Sequence, residues 1–474
     1  MATQAQTQGA PPVSVKRLLP WLVAVAFFME SLDTTILNTA VPTIADALRI
    51  APLSMKAALT SYTISLAVFI PISGWIADRY GTKWVFFTAI GVFSLGSLFC
   101  GLSVNMPMLV AARILQGCGG ALMMPVGRIT MVRTFPKGEL IRAMSFVAVP
   151  GLIGPLIGPL AGGLIVGYLH WRMIFFVNLP MGLLGMYLVY RHMPDYREAT
   201  SPIDFVGLTL FGSGIALLSY VLEIFGEHAL STRSIVFLLL LSFALLAAYA
   251  RHALTNEHPL LQLVLFKVRT FRVAVAGGFA TRLGVGGMPF LLPLLYQIGL
   301  GYTPVQSGLL IMPQPLAAMS LKMLMPRILA RFGYRKVLLV NTLAIGVVIM
   351  LFMTVSPGTP VSLIVLMAFC LGFVSSMQYT SMNTLVFADL PDAEASAGSS
   401  ISSTVQQMSM SFGVATASLL AALFLGGDRR PGPAGMIAGI HWTFLTMGLM
   451  TVASALIFRP LAPTDGAAIS RYSA

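Results

Sequence analysis

The sequence predicts an all-α polytopic membrane protein of fourteen transmembrane helices, in two six-helix bundles with two extra central helices. Three observations point there. Only 9% of the residues are charged, against about 25% in a soluble domain. The mean hydropathy is +0.86, and apolar runs of about 20 residues, enough to cross a bilayer, recur along the whole chain. A short basic turn with glycine at the same place occurs at 78–85 and again at 330–337, 252 positions apart. Helices rather than strands follow because a backbone in lipid must satisfy its own hydrogen bonds, and no ten-residue alternating pattern is present.

Taken in order, a polar tail, 1–18, precedes spans at 19–41, 55–77, 84–104, 106–127, 142–166 and 171–191, which make a first bundle, 19–191. The first run is too long, and holds two acids, for a signal peptide. Two extra spans, 203–224 and 232–253, lie within 192–271 between polar linkers. Spans at 272–297, 304–328, 335–355, 360–386, 400–425 and 438–459 make a second bundle, 272–459, before a tail, 460–474. Lys and Arg in the connections divide twenty to six in favour of the side holding Lys16 and Arg17, which predicts cytoplasmic termini. The poorer side includes Arg429 and Arg430 and the richer one Arg471. An acidic connection with Asp389, Asp392 and Glu394 is the exception on the cytoplasmic side. Duplicated halves with a site between them near the midplane are a common transporter plan.

Several function classes fall away. The formal charge is +13, but the basic residues are scattered in short loops and read as topology signals, so no nucleic-acid partner is expected. Cys100, Cys118 and Cys370 sit in apolar runs without a CxxC pair, so neither a disulfide framework nor a thiolate metal site is expected. The six histidines lie in loops or near span ends, and no HExxH or Ser-His-Asp order occurs. Gly117–Cys118–Gly119–Gly120 lacks the Lys-Ser/Thr of a nucleotide-binding loop. The expectation is a non-enzyme with no cofactor, no metal and no ATP-driven pumping.

Glu30 and Asp33 stand in the middle of the first span. A charge at the bilayer centre costs about 2.5–3.5 kcal/mol on insertion scales, which makes such residues functional candidates by default. At 100° per residue Glu30, Asp33, Thr34 and Asn38 share one arc, which must face protein or water. The stripe is either a proton carrier or a polar patch bonding neighbouring helices. In the fourth span Arg113, Gln116, Gly117 and Gly120 share a face, and Arg113 is the obvious partner for a first-span acid, in a working cycle or a fixed ion pair. The fifth span holds Gly151, Gly154, Pro155, Gly158, Pro159, Gly162 and Gly163. Its bare, bendable face suits either sliding against another helix or tight packing.

The turn Gly74–Lys83, with Asp78, Arg79 and Gly81, is either a cytoplasmic charge lock or a topology-setting loop. Arg282 and Lys322 are second-half cations, candidates for an anionic substrate group or the first-half acids, although Lys322 can snorkel. Glu223, near the end of the seventh span, reads as a wet-end residue.

These motifs resemble the major facilitator superfamily and, more narrowly, its fourteen-span drug/proton antiporters. Gly74, Asp78, Arg79, Gly81 and Lys83 match the superfamily turn between spans 2 and 3, and Leu32–Pro42 resembles the first-span signature of the fourteen-span group. Arg113, Gln116 and Gly117 match the span 4 pattern tied to proton coupling. The glycines and prolines of span 5 resemble the antiporter motif, and Trp171–Pro180 the opening of span 6. Asn383–Leu385 and Asp389–Asp392 are similar to stretches in bacterial inner-membrane members. Two departures stand out: Ala330 replaces Asp78 in the second turn, and Glu30 lies outside the signature.

The resemblance implies a proton-coupled multidrug or small-molecule exporter working by alternating access. Asp33 would carry the proton, with Glu30 a second candidate, and Arg113 would set the proton's affinity. Substrate would bind between the halves, near Asn38, Gln116, Arg282 and Lys322, on a wall drawn from 28 Met and 29 Phe. The expected partners are a small-molecule substrate, protons and the lipid bilayer, with the chain a monomer in a bacterial inner membrane. A dedicated exporter of one metabolite and a non-transporting sensor are the alternatives.

Overall fold

A computed structural model describes residues 13–198, 202–224, 231–322, 324–391, 394–426 and 432–466. Asp392, Arg429, Arg430 and Arg471, the start of the amino-terminal tail, and the side chains of Arg17 and Glu223 lie outside the described residues. Among the described residues all regular structure is helical, and thirteen helices are long and apolar enough to cross a membrane. The first-half spans are α1 (Leu18–Ala47), α2 (Pro52–Tyr80), α3 (Thr82–Leu102), α4 (Met106–Thr134), α5 (Val149–Tyr168) and α6 (Met173–His192). The extra pair is α7 (Phe205–Leu222) and α8 (Thr232–Thr255).

The second half opens with α9 (Arg269–Gly299). The tenth crossing, α10, explains why thirteen continuous helices serve fourteen spans. It runs over 304–332 as Pro304–Ile311, Pro313–Leu321 and a last stretch from Met325. Pro313 and Pro315 remove amide donors, so the first break falls at Met312. The last stretch is hydrogen-bonded into the next helix, Met325–Leu351, but the dihedrals break at Gly333, φ 70° and ψ 161°. Beyond that turn α11 occupies 334–354, followed by α12 (Val361–Leu385), α13 (Ala395–Phe424) and α14 (Pro433–Phe458).

The 252-residue register of the two basic turns extends over neighbouring elements. It relates Ala47 to Gly299 at the ends of α1 and α9, and Pro52 to Pro304 at the starts of α2 and α10. It also relates Gly81, φ 95°, to Gly333, φ 70°. Both glycines hold a backbone conformation that costs a side-chain-bearing residue energy.

The halves meet along two seams, α5 on α10 and α2 on α13. The first is close because it is bare: a side-chain carbon on Gly163 would strike the Pro304 carbonyl, and one on Gly308 the Pro159 carbonyl. The extra pair packs on itself, and α7 also lies against α2 and α13, beside the second seam.

Three apolar cores follow from this arrangement. At the end away from the start of α1, one continuous core draws on both halves, with Ile44, Met55, Leu109, Phe175, Leu291, Tyr296, Leu310 and Phe444. At the end where the chain starts, the halves have separate cores. One is built around Val23, Phe86, Phe93 and Val126 of the first half. The other, around Phe271, Leu329, Val337 and Phe458, also takes Phe211, Ile215 and Tyr249 of the extra pair and Ile64 of α2. The molecule is therefore sealed between its halves at one end and divided at the other.

Candidate functional site

Asp33 lies on α1 with 1% of its surface exposed. Three side chains converge on its carboxylate. Arg113 donates from Nη1 to Oδ2 at 2.6 Å, while Gln116 and Asn178 donate to Oδ1 at 2.8 Å and 3.0 Å. Ser97 of α3 ties the cluster together. Its hydroxyl accepts from Gln116 at 3.2 Å and Asn178 at 2.9 Å, and donates to the Phe175 carbonyl at 3.0 Å. Arg113 donates further to Gln116 Oε1 at 2.7 Å and to the Ala58 carbonyl at 3.1 Å. Its guanidinium lies 4.2 Å from the centre of the Tyr62 ring.

Glycines bring these helices close enough. A Cβ on Gly96 would lie 2.6 Å from the Gln116 backbone nitrogen, so α3 and α4 touch backbone to backbone there. A Cβ on Gly117 would lie 2.8 Å from the Tyr62 carbonyl, which holds α4 on α2 and sets Arg113 over the Tyr62 ring. An ion pair out of water is worth its desolvation only when its remaining donors and acceptors are also satisfied. Most of the cluster's donors and acceptors are paired, while among the described residues Asn178 Oδ1 and the Tyr62 hydroxyl have no partner.

The span 5 glycines pack on the helix that carries Asp33. Gly154 lies against Ser31, where a Cβ would come within 2.6 Å of the serine Cβ. Side-chain carbons on Gly158 and Gly162 would strike Thr35 Oγ1 and the Ile36 carbonyl. The Thr35 hydroxyl also donates to the Gly154 carbonyl at 3.4 Å. Gly151 makes only loose contact with Phe27 and Ser31, 3.9 Å away, while Gly163 meets α10 of the other half. The stripe of Gly154, Gly158 and Gly162 therefore faces α1 within the first half, and Pro155 and Pro159 lie in the same helix.

The other candidates fall elsewhere. Glu30 is buried, and its Oε2 has no hydrogen-bond partner among the described residues. Asn38 is partly buried and donates to the Thr34 carbonyl at 3.3 Å, outside the Asp33 cluster. Arg282 on α9 is buried between α12 and α13, with no carboxylate paired to it among the described residues. Lys322 is exposed at the break in α10.

The end of α2 and the turn after it are tied down by α4 and by the linker that follows α6. Asp78 pairs with Arg133 at 2.7 Å, and Arg133 with Glu198 at 3.0 Å. The Lys83 amide donates to Asp195 at 3.1 Å, and its ammonium sits 5.4 Å from the Tyr190 ring centre. Gly81 leaves no room for a side chain beside Asp195, Gly74 has only Ile129 nearby, at 3.9 Å, and Arg79 is exposed.

Sequence reasoning missed Ser97, Asn178 and Tyr62. Asn178 lay in a stretch already singled out, Trp171–Pro180, but its neighbour across the bundle could not be read from one chain. Ser97 in an apolar run reads as small-residue packing, and Tyr62 as an ordinary aromatic. Among the described residues no group of three or more His, Cys, Asp or Glu could hold a metal.

A family model described as Major Facilitator Superfamily matches residues 23–414. The chain is 43% identical over 439 residues to a Cronobacter sakazakii protein named "Putative multidrug resistance protein MdtD", covering 92% of this chain and 93% of that one. An Escherichia coli protein of the same name is 42% identical over 455 residues, 95% of this chain and 96% of the relative. Among solved structures, the chain resembles a bacterial homologue of the human lysosomal transporter Spinster, inward-facing and occupied, with TM-score 0.69 and 13% identity over 98% of each chain. It also resembles a D-xylose-proton symporter, with TM-score 0.64 and 16% identity over 95% and 99% of the chains. The chain belongs to the major facilitator superfamily, a family of membrane transporters.

Proposed function

We propose that this member of the superfamily is a proton-coupled exporter of small molecules, an antiporter with a multidrug range. We place it in a bacterial inner membrane with both termini cytoplasmic. The observation that carries the reading is Asp33, a buried carboxylate on a spanning helix held by Arg113, Gln116 and Asn178. All three contacts come from N–H donors, an arrangement suited to the ionised carboxylate. A proton arriving at Asp33 weakens the pairing with Arg113 and creates an O–H that needs an acceptor. Asn178 Oδ1, without a donor among the described residues, supplies one if the amide turns over.

Coupling then follows from the packing. Asp33 shares α1 with Ser31, Thr35 and Ile36, against which the α5 glycines lie. Pro159 and Gly163 of α5 in turn touch Gly308 and Pro304 of the second half. A change in the Asp33 cluster thus has a continuous packed route to the seam between halves. Glu30, one turn before Asp33, serves as a second proton site or an access-pathway residue. Substrate binds between the halves, and the divided end supports a state open on the side of the termini.

The test is efflux from proteoliposomes under an imposed pH gradient, with rhodamine 6G as probe. Wild-type protein should accelerate efflux only with the gradient, and Asp33→Asn should not respond to it. Efflux that ignores the gradient, or normal coupling in the variant, sinks proton antiport through Asp33.

A further inference from the structure

The second half holds a charge that the proton mechanism leaves unused. Arg282 has 6% of its surface exposed and forms no ion pair among the described residues. Its Nη2 reaches Asn383 Oδ1 of α12 and Gln406 Oε1 of α13, each at 3.4 Å, the long end of the hydrogen-bond range. Its guanidinium stands 4.6 Å from the centre of the Tyr379 ring. Most of its five N–H donors have no partner among the described residues. A buried cation in the membrane ordinarily has a counter-charge.

The local build keeps the guanidinium where it is. Gly278, one turn earlier on α9, leaves the space bare: a Cβ there would sit 2.8 Å from Arg282 Nη1. Asn383 is exposed although it lies within a spanning helix, and Gln406 and Tyr379 are partly exposed. An exposed amide inside a span belongs beside water rather than hydrocarbon. The register that relates Pro52 to Pro304 and Gly81 to Gly333 also relates Glu30 to Arg282. The two halves thus carry a buried acid and a buried base at corresponding positions of their first helices.

We propose that Arg282, with Tyr379, Asn383 and Gln406, binds the anionic group of the transported substrate, and that the substrate class includes small aromatic or amphipathic carboxylates. The forked guanidinium takes a carboxylate through two parallel hydrogen bonds, and the Tyr379 ring stacks beneath. The two amides give up their long contacts and turn their NH2 groups to the substrate's remaining lone pairs. This rests on the reading of the chain as an exporter with its site between the halves.

The test is equilibrium binding of carboxyfluorescein to the purified full-length protein in nanodiscs, by fluorescence anisotropy, without a pH gradient. Benzoate and phenylphosphate compete in separate arms, to tell carboxylate from phosphate, and benzamide serves as the uncharged control. Benzoate should displace the probe and benzamide should not. Displacement by phenylphosphate alone overturns the carboxylate assignment. Arg282→Gln should weaken binding on the order of tenfold to a hundredfold, the loss of a charge-assisted pair, and Arg282→Lys by less.

Should Arg282→Gln fail to fold, Asn383→Asp decides, since it changes an exposed side chain and sets an internal carboxylate beside Arg282. It should weaken the probe comparably. Wild-type affinity in either folded variant, or no binding of the probe to the wild type, overturns the proposal. Gradient-driven efflux of rhodamine 6G is read separately on the wild type, so antiport can stand while anion binding fails, and the reverse.

Discussion

Arg113 and Arg282 are both buried arginines on spanning helices, each against a tyrosine ring, and they differ in the oxygens around them. Arg113 has a carboxylate at 2.6 Å, an amide oxygen at 2.7 Å, a backbone carbonyl at 3.1 Å and an aromatic ring. Arg282 has the ring and two amide oxygens at 3.4 Å. The first arrangement is tight: separating Arg113 from Asp33 breaks a buried ion pair of 2.6 Å. The second is open: a ligand adds to it. We assign coupling to the first cluster and substrate recognition to the second, one in each half.

The largest effect expected from breaking this comparison is on transport. Asp33→Asn should abolish gradient-driven efflux of rhodamine 6G, whereas Glu30→Gln should keep exchange and lower the protons moved per cycle, read by pH-dye flux. Stability should separate the two arginines next. Asp33→Asn leaves Arg113 buried without its counter-charge, at a cost of about 3–5 kcal/mol. Adding Arg113→Gln should recover much of that loss in thermal unfolding without restoring transport. Arg282→Gln should destabilise far less, because no ion pair is broken. Equal losses for Asp33→Asn and Arg282→Gln would erase the distinction.

Gly158→Val should be smaller again, about 1–3 kcal/mol from overpacking against Thr35. It should also slow coupled efflux, because α5 would be pushed from α1. The smallest effect concerns Asp204, which precedes α7. Burial opposes its charge, but the amides of Gly207 and Leu260 and the ring of His252 outweigh burial and hold its carboxyl below the usual value. A depressed folded value means the stabilisation is complete above the unfolded aspartate range and disappears as pH falls through the folded value. Asp204→Asn should therefore lower the melting temperature at pH 7 and match the wild type in strong acid.

Much of the fold was legible because lipid removes alternatives. Apolar length gave the spans, and the doubled turn gave the halves. The broken tenth crossing was readable as a span but not as a broken one, since the stop at Met312 depends on where Pro313 and Pro315 fall relative to packed neighbours. Asp33, Arg113 and Gln116 were legible because charge and amide are rare inside apolar runs. Ser97 was not, because a hydroxyl in an apolar helix is uninformative until its cross-bundle neighbour is known, and Asn178 stood out only as part of Trp171–Pro180, with nothing to name its partner. The glycines of α5 were recognised as a bare face, but only the structure turns Gly154, Gly158 and Gly162 toward α1 and Gly163 toward α10.

The core that runs unbroken across both halves at one end has a consequence for how the chain can be made. The halves recognise each other there through interlocked side chains such as Ile44, Leu291 and Leu310, and along the seams Gly163 with Pro304 and Gly308 with Pro159. None of those contacts requires that the backbone be continuous between α8 and α9. Two polypeptides, one ending after α8 and one beginning at α9, carry between them everything this adhesion uses. Co-expressed, they should find each other in the bilayer and copurify as one particle.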